Sequence, residues 1–357
     1  MVEYLAGGRI QGISALSSPP PATSWKELDR VTLSSAGDSM DTGTFTTKDN
    51  IIILEHKIPT GNARSKYRFN ADSGSNYATR RSQNGGSDST FTSESFLYQY
   101  PSGGTAEGFS VSQYNNISAQ EKLGIAHVVE NNASGAGNAP ARDEYVQKWA
   151  NTSAQINRVE VFNDGTGDFD TGSEIVVLGC DNDEADSGTS VWEELASVDL
   201  SGGTGNSLSS GTISAKKYLW VQAYLEQSGS GDTGNICRFN SDSGSNYTVR
   251  YSENGGSDTT STSRSNIVTG ANSGTNGAGE AFFINMFIIN KSDKEKLIIG
   301  KLVDTDAGAG DGTAPGKSEF VGKWDNTSDS ITNITWTNSG GSATWATTSY
   351  LKVWGFD

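Results

Sequence analysis

The sequence predicts an all-β chain: two tandem jelly-roll-like antiparallel β-sandwiches from an internal duplication, preceded by an extended N-terminal arm. Three observations carry this expectation. One long pattern occurs twice, apolar residues alternate in short runs, and Gly, Ser, Thr and Asn crowd the intervals between those runs. The segment Arg68-Phe69-Asn70-Ala71-Asp72-Ser73-Gly74-Ser75-Asn76-Tyr77 returns as Arg238-Phe239-Asn240-Ser241-Asp242-Ser243-Gly244-Ser245-Asn246-Tyr247, at an offset of 170 (238 minus 68). A repeat of this length is a whole domain rather than a solenoid unit.

The correspondence extends along most of the chain. Trp25 to Leu28 matches Trp192 to Leu195, and Asn84 to Asp88 matches Asn254 to Asp258. Further on, Lys148-Trp149 matches Lys323-Trp324, and Ile175 to Gly179 matches Leu351 to Gly355. The expected organisation is an arm at 1–23, a first sandwich at 24–181, a short acidic linker at 182–189 and a second sandwich at 190–357. Two domains suit 357 residues, and each is large enough to bury a core.

Aromatic residues at 9% argue against disorder. The formal net charge of −16 argues against nucleic acid as a partner, because phosphate is held by clustered Lys and Arg. No apolar run approaches the ~18 residues of a membrane span, so insertion is not expected. The opening residues show neither a basic region nor an apolar core of a secretory signal. Cys180 aligns with Phe356 and Cys237 with Tyr67, so two unrelated thiols are expected rather than a disulfide framework.

Alternation and β-branched content place strands in the first repeat at Leu28–Leu33, Gly43–Thr47, Ile51–Lys57, Lys66–Asn70 and Tyr77–Ser82. They continue at Thr90–Leu97, Gly108–Tyr114, Lys122–Val129, Gln155–Asn163 and Glu174–Gly179. In the second repeat Tyr218–Leu225 and Ala281–Ile289 are the clearest. The continuous runs at Ile51–Leu54 and Phe282–Ile289 read as central strands covered on both faces. Trp149 and Trp324 are expected to plug one end of each core. Eight to ten strands in about 155 residues exceed an immunoglobulin domain and suit a jelly roll.

The repeated polar turn has two readings. In one, Asp and Asn bond their own backbone in a hairpin loop and Gly supplies a positive φ. In the other, oxygen ligands at Asn70, Asp72 and Asn76, and again at Asn240, Asp242 and Asn246, form a Ca²⁺ loop. That second set lacks the bidentate Glu of an EF-hand. The chain otherwise calls for no cofactor.

Arg68, Tyr77 and Arg80 recur as Arg238, Tyr247 and Arg250. They read either as stacked and cross-strand-paired structural residues or as a glycan-binding platform. Exposed aromatics such as Tyr98, Tyr100 and Tyr114 would mark a carbohydrate site.

Catalytic signatures are missing from the sequence. His56 and His127 align with Tyr224 and Lys301, and no nucleophile elbow, phosphate loop or zinc motif occurs. No pair of carboxylates stands out as a glycosidase couple. The expectation is therefore a non-enzyme. Frequent Asn-x-Ser/Thr triplets, Asn116-Ile117-Ser118 among them, hint at an extracellular setting.

The arm carries Arg9, Ile10 and Ile13 ahead of Pro19-Pro20-Pro21, a stiff extended spacer. An arm of this kind can dock on a neighbour by adding a strand to a sheet edge.

The opening Tyr4-Leu5-Ala6-Gly7-Gly8-Arg9-Ile10-Gln11-Gly12 resembles the start of virion structural proteins of environmental, mainly marine, viruses of archaea and bacteria. The Arg68-to-Tyr77 signature, Asn84-Gly85-Gly86-Ser87-Asp88 and Lys148-Trp149 with Asn151 resemble repeats in the same proteins. The resemblance covers both domains and brings no catalytic residue. It implies a virion or particle-surface location and partners that are copies of itself, as a homo-oligomer, or other virion proteins. The expected function is a non-enzymatic capsid decoration or tail/fibre protein that assembles through its arm. The alternatives are a carbohydrate-binding module or adhesin for a host glycan, a double-jelly-roll capsid protein, and an extracellular filament subunit.

Overall fold

The computed structural model describes residues 2–5, 9–12, 25–99, 106–182, 190–229, 231–232, 234–269, 275–276, 280–305, 314–340 and 343–357. Among these the chain is all-β, and no helix occurs. It divides into two compact units. One comprises Met1–Ser82, Asp88–Val128 and Glu144–Glu193; the other comprises Gln83–Ser87, Val129–Asp143 and Glu194–Asp357.

The arm contains a two-stranded antiparallel sheet, β1 (Val2–Leu5) with β2 (Arg9–Gly12), in which Tyr4 pairs with Ile10. The arm is therefore a self-paired hairpin here, and not an extended strand, because residues 2–5 and 9–12 satisfy one another's backbone groups. Ile13 lies outside the described residues.

The first repeat supplies β3 (Lys26–Thr32), β4 (Ser39–Asp41), β5 (Asn50–Lys57), β6 (Ser65–Phe69), β7 (Tyr77–Gln83) and β8 (Ser89–Glu94). It continues with β9 (Leu97–Tyr98), β10 (Gly108–Asn115), β11 (Lys122–Glu130), β12 (Ala141–Trp149), β13 (Val159–Asn163) and β14 (Glu174–Cys180). An eight-stranded sheet of order β3-β14-β5-β10-β11-β12-β7-β8 faces a four-stranded sheet of order β4-β13-β6-β9. The inward rows of both sheets meet in one core around Ile51, Ile53, Tyr67, Phe69, Trp149 and Val177.

The second repeat supplies β15 (Glu193–Asp199), β16 (Ser207–Ser209), β17 (Tyr218–Glu226), β18 (Gly231–Asp232), β19 (Asn235–Phe239), β20 (Tyr247–Glu253) and β21 (Thr259–Arg264). Then follow β22 (Ile267–Val268), β23 (Thr275–Asn276), β24 (Ala281–Ile289), β25 (Lys296–Asp304), β26 (Gly316–Trp324), β27 (Ile334–Asn338) and β28 (Tyr350–Phe356). The orders β15-β28-β17-β24-β25-β26-β20-β21 and β16-β27-β19-β22 reproduce those of the first repeat strand for strand. In the second repeat β18 and β23 form a further two-stranded pair. Each repeat is a jelly-roll-like sandwich.

β5 and β24 sit mid-sheet, as their continuous apolar runs predict. Four strand expectations change: β13 begins at Val159 rather than Gln155, the expected Thr90–Leu97 is broken at 95–96 between β8 and β9, and two others differ more. Gly43–Thr47 is not a strand, because Gly43 takes a left-handed φ of 64° and turns the chain out of the ladder; β4 precedes it. β12 was not foreseen, because polar Asp143 and Gln147 occupy inward, buried positions and break the alternation. Neither Cys180 nor Cys237 forms a disulfide; Cys237 is fully buried, while Cys180 is only partly so.

The two cores are built from different chemistry. In the first, Glu55 accepts hydrogen bonds from Ser65 Oγ and from Tyr67 Oη (2.8 Å). Nearby, Tyr114 Oη donates to Gln147, whose Nε2 donates to Gln99 Oε1 at 3.0 Å. Desolvation raises the Glu55 carboxyl above its ordinary range, despite the Ser65 and Tyr67 hydrogen bonds and the nearby Lys57. The second core places Ala223, Cys237, Ile284, Met286 and Ile288 on the corresponding strands.

Candidate functional site

The repeated turn is a structural clamp. Asn70 and Ala71 adopt left-handed φ values of 53° and 56°. Asp72 Oδ1 accepts from the Gly74 amide (2.9 Å), and its Oδ2 accepts from Asn76 Nδ2 (2.9 Å) and Trp149 Nε1 (2.8 Å). Burial alone would raise the Asp72 carboxyl; the donors of Trp149, Asn76 and Gly74 outweigh it and hold the group below its ordinary value. Tyr77 Oη accepts from the Phe69 amide at 3.0 Å. The second copy repeats this through Gly244, Asn246, Trp324 and Tyr247 around Asp242.

This geometry corrects the calcium reading. Asn70 turns away from Asp72: its Oδ1 accepts from the amides of Asn157 (2.9 Å) and Arg158, and its Nδ2 donates to the Gln155 carbonyl. Asn240 does the same toward Thr332, Asn333 and Ser330. In each copy Asp72 and Asn76, or Asp242 and Asn246, are bonded to one another and the carboxylate is taken up by protein donors, while Asn70 or Asn240 is engaged elsewhere, so neither set of three converges on a common point. Among the described residues no cluster of His, Cys, Asp or Glu is arranged to hold a metal.

The Arg/Tyr platform is not assembled either. Arg68 lies on the small sheet, paired with Glu160 (2.9 Å) across the strands and stacked on Phe162. Tyr77 and Tyr247 are buried in the cores. Arg238 donates to the Ser265 carbonyl (3.0 Å), and Arg250 to the Pro140 carbonyl (2.7 Å). Tyr114 is buried, Tyr98 is packed between Phe91 and Phe96, and Tyr100 lies outside the described residues. Of the described residues singled out in the sequence for binding, Arg80 and the largely buried Tyr114 line an open site.

That site is a groove of about 860 Å³ across the outer face of the first sandwich's large sheet. Side chains from six strands line it, which no single sequence window reveals. Its floor is aliphatic: Ile52 on β5, Leu123 and Ile125 on β11, and Val146 on β12. Leu123, Ile125 and Val146 are 57%, 53% and 52% exposed, unusual for large apolar residues gathered on one surface. Trp25 and Phe91 are also part of the wall. Asn50, Gln113, Asn115, Thr90 and Thr92 supply amides and hydroxyls. The Gln113 amide has no protein partner among the described residues. The charged lining residues are Arg80 and Lys148, both cationic. Each has an exposed acidic neighbour outside the groove, Asp88 at 3.2 Å and Glu121 at 3.5 Å. Exposed pairs of this kind are weak and readily exchanged.

No protein-family model matches the chain, and no curated protein matches it. Among solved structures, the chain is similar to domains LG4-5 of the mouse laminin alpha1 chain. The identity is 11%, the coverage is 91% of this chain and 88% of that one, and the TM-score is 0.19. A likeness at that level bears on neither fold nor function.

Proposed function

We propose that the protein is a non-catalytic binding component of a particle surface or extracellular assembly, and that the first sandwich holds an acidic polysaccharide in its groove. One observation carries this reading. In a chain of net charge −16, the groove lining includes two cations and no carboxylate, set around an aliphatic floor with amides and hydroxyls beside it. Apolar surface with a few convergent polar groups is the usual chemistry of a ligand site. The open trough suits a chain ligand more than a compact one. A lining without Asp or Glu lacks the carboxylate pair that glycoside hydrolysis uses.

The test is calorimetric titration with a polymannuronate hexasaccharide and a neutral β-1,4-glucan hexasaccharide. Binding of the acidic oligomer that falls by tenfold or more in Arg80→Ala/Lys148→Ala supports the proposal. Equal affinity in that variant, or no acidic binding by the wild type, overturns it.

A second reading, a virion decoration or tail protein assembling through its arm, is favoured by the β1–β2 hairpin, whose outer edges can accept a further strand. Light scattering on the full chain and on a chain lacking residues 1–23 checks it. Assembly confined to the full chain supports arm-driven association, and two monomers refute it.

A further inference from the structure

We infer that the outer face of the second sandwich's large sheet is a separate saccharide platform, for a pyranose chain lying across β28, β17 and β24. It shares with the groove reading the premise of a saccharide-binding chain, but it uses a different face and different residues.

The cross-strand register arranges this face in rows. Trp354, Trp220 and Phe287 are directly paired neighbours. Two residues along lie Lys352, Gln222 and Asn285, and two further along lie Tyr350, Tyr224 and Phe283. A polar row thus runs between two aromatic rows, each about 6.5 Å from it along the strands. Trp220 stacks on Phe287 (5.7 Å, 10°) and leans on Trp354 (5.0 Å); Tyr224 stacks on Tyr350 (5.8 Å, 21°). Trp220, Gln222, Tyr224, Asn285, Tyr350 and Lys352 are partly exposed and Phe283 is exposed, whereas Trp354 and Phe287 are buried, so the accessible aromatic surface is that of Trp220, Tyr224, Tyr350 and Phe283.

The polar row is held ready by its own hydrogen bonds. Asn285 Oδ1 accepts from Trp220 Nε1 (2.6 Å) and Gln222 Nε2 (3.1 Å). This fixes the amide and leaves Asn285 Nδ2 and Gln222 Oε1 without protein partners among the described residues. An outward donor and an outward acceptor, flanked by aromatic faces, match the alternation of hydroxyls and flat C–H surfaces on a pyranose.

The duplication supplies the control. In the first sandwich the same register pairs Leu178 with Ile52 and Gln113, Val176 with Leu54 and Val111, and Glu174 with His56 and Phe109. Leu54, Val111, Val176 and Leu178 are buried aliphatics. The same sheet therefore forms without the aromatic rows or the amide row. Trp354 and Phe287 are themselves buried, but the partly exposed Trp220, Gln222, Tyr224 and Asn285 stand where the first copy has Ile52, Leu54, His56 and Val111, and their presence is not required by the fold, which points to a ligand.

The experiment is titration of the full chain with neutral β-1,4- and β-1,3-glucan hexasaccharides, followed by tryptophan fluorescence and calorimetry. The variants are Trp220→Ala, Gln222→Ala and Asn285→Ala, with Arg80→Ala/Lys148→Ala as the groove comparison. The two half-exposed amide variants keep the test valid if the tryptophan variant unfolds. Neutral-oligomer binding that drops about tenfold or more in the platform variants and stays unchanged in the groove variant supports the inference. Binding that survives the platform variants overturns it, as does a wild type that binds neither neutral oligomer. Concentration-dependent dimerisation abolished by Trp220→Ala would overturn it in favour of a second copy as occupant. Loss of acidic-oligomer binding in the groove variant alone bears on the groove and leaves the platform result to stand by itself.

Discussion

The indole Nε1 of Trp149 donates to Asp72 Oδ2 at 2.8 Å, joining the first sandwich's core to its most polar turn, and Trp324 does the same to Asp242 at 2.7 Å. The longest identical stretch of the duplication is thereby explained by architecture. Removing the acceptor leaves a buried indole N–H and a left-handed turn unsupported. Asp72→Ala and Asp242→Ala should each destabilise their sandwich by about 1–3 kcal/mol, read as a lowered thermal midpoint. Calcium and EDTA should both leave the wild-type midpoint unchanged; a shift on adding calcium would restore the metal reading.

The same carboxylates set an acid limit. Their folded-state values lie below the ordinary aspartate value. The stability they contribute is present above the unfolded-state value and is lost as pH falls through the folded one. Asp72→Asn should flatten that acid-side loss for the first sandwich, measured as the thermal midpoint across a descending pH series.

Glu55 works in the opposite sense. Its carboxyl is raised in the folded state by burial, so its contribution is complete below the ordinary glutamate range and is lost as pH climbs toward the folded value. Glu55→Gln retains a hydrogen-bonding group for Ser65 and Tyr67 and cannot ionise. The variant's midpoint should gain on the wild type as pH rises above the ordinary glutamate range. A difference that stays constant as pH rises would refute the assignment.

Gly124 and Gly300 are demanded by close packing. A Cβ at Gly124 would lie 2.2 Å from Tyr114 Cε1, and one at Gly300 would lie 2.1 Å from Phe320 Cζ. Gly124→Ala and Gly300→Ala should each cost about 1–3 kcal/mol in denaturant unfolding. A further Tyr114→Phe change would not relieve Gly124→Ala, because the clash is with the ring edge.

Much of the framework was legible in the sequence. β5 and β24 are flanked by strands on both sides; β5 is buried along both faces and its apolar run is unbroken, whereas β24, expected to be covered on both faces, leaves Phe283 exposed and Asn285 partly exposed on its outer one. β12 was hidden because its inward positions include Asp143 and Gln147; the burial of Gln147 depends on Tyr114, Gln99 and the Tyr98 carbonyl, all distant in sequence. The arm's self-pairing was hidden for the same reason, since a hairpin is a relation between two segments. The groove draws on strands from β5 to β12, and only the sheet order brings them together. The aromatic rows were half visible: Tyr218, Trp220 and Tyr224 keep a period of two. Their significance waited on β17 being placed between β28 and β24.

The two sandwiches use one register to display unrelated outward rows, while the Asp–Trp clamp and strand order stay fixed. Scaffold and specificity are therefore separable inheritances in this chain. On the proposed readings, a mutation at a solvent-facing position of an outward row would change what a copy can hold without renegotiating how it folds. The duplicate pair then behaves as a chassis with an interchangeable faceplate, and grafting the Trp220, Gln222 and Asn285 rows onto the matching positions of the first copy is the engineering operation it invites.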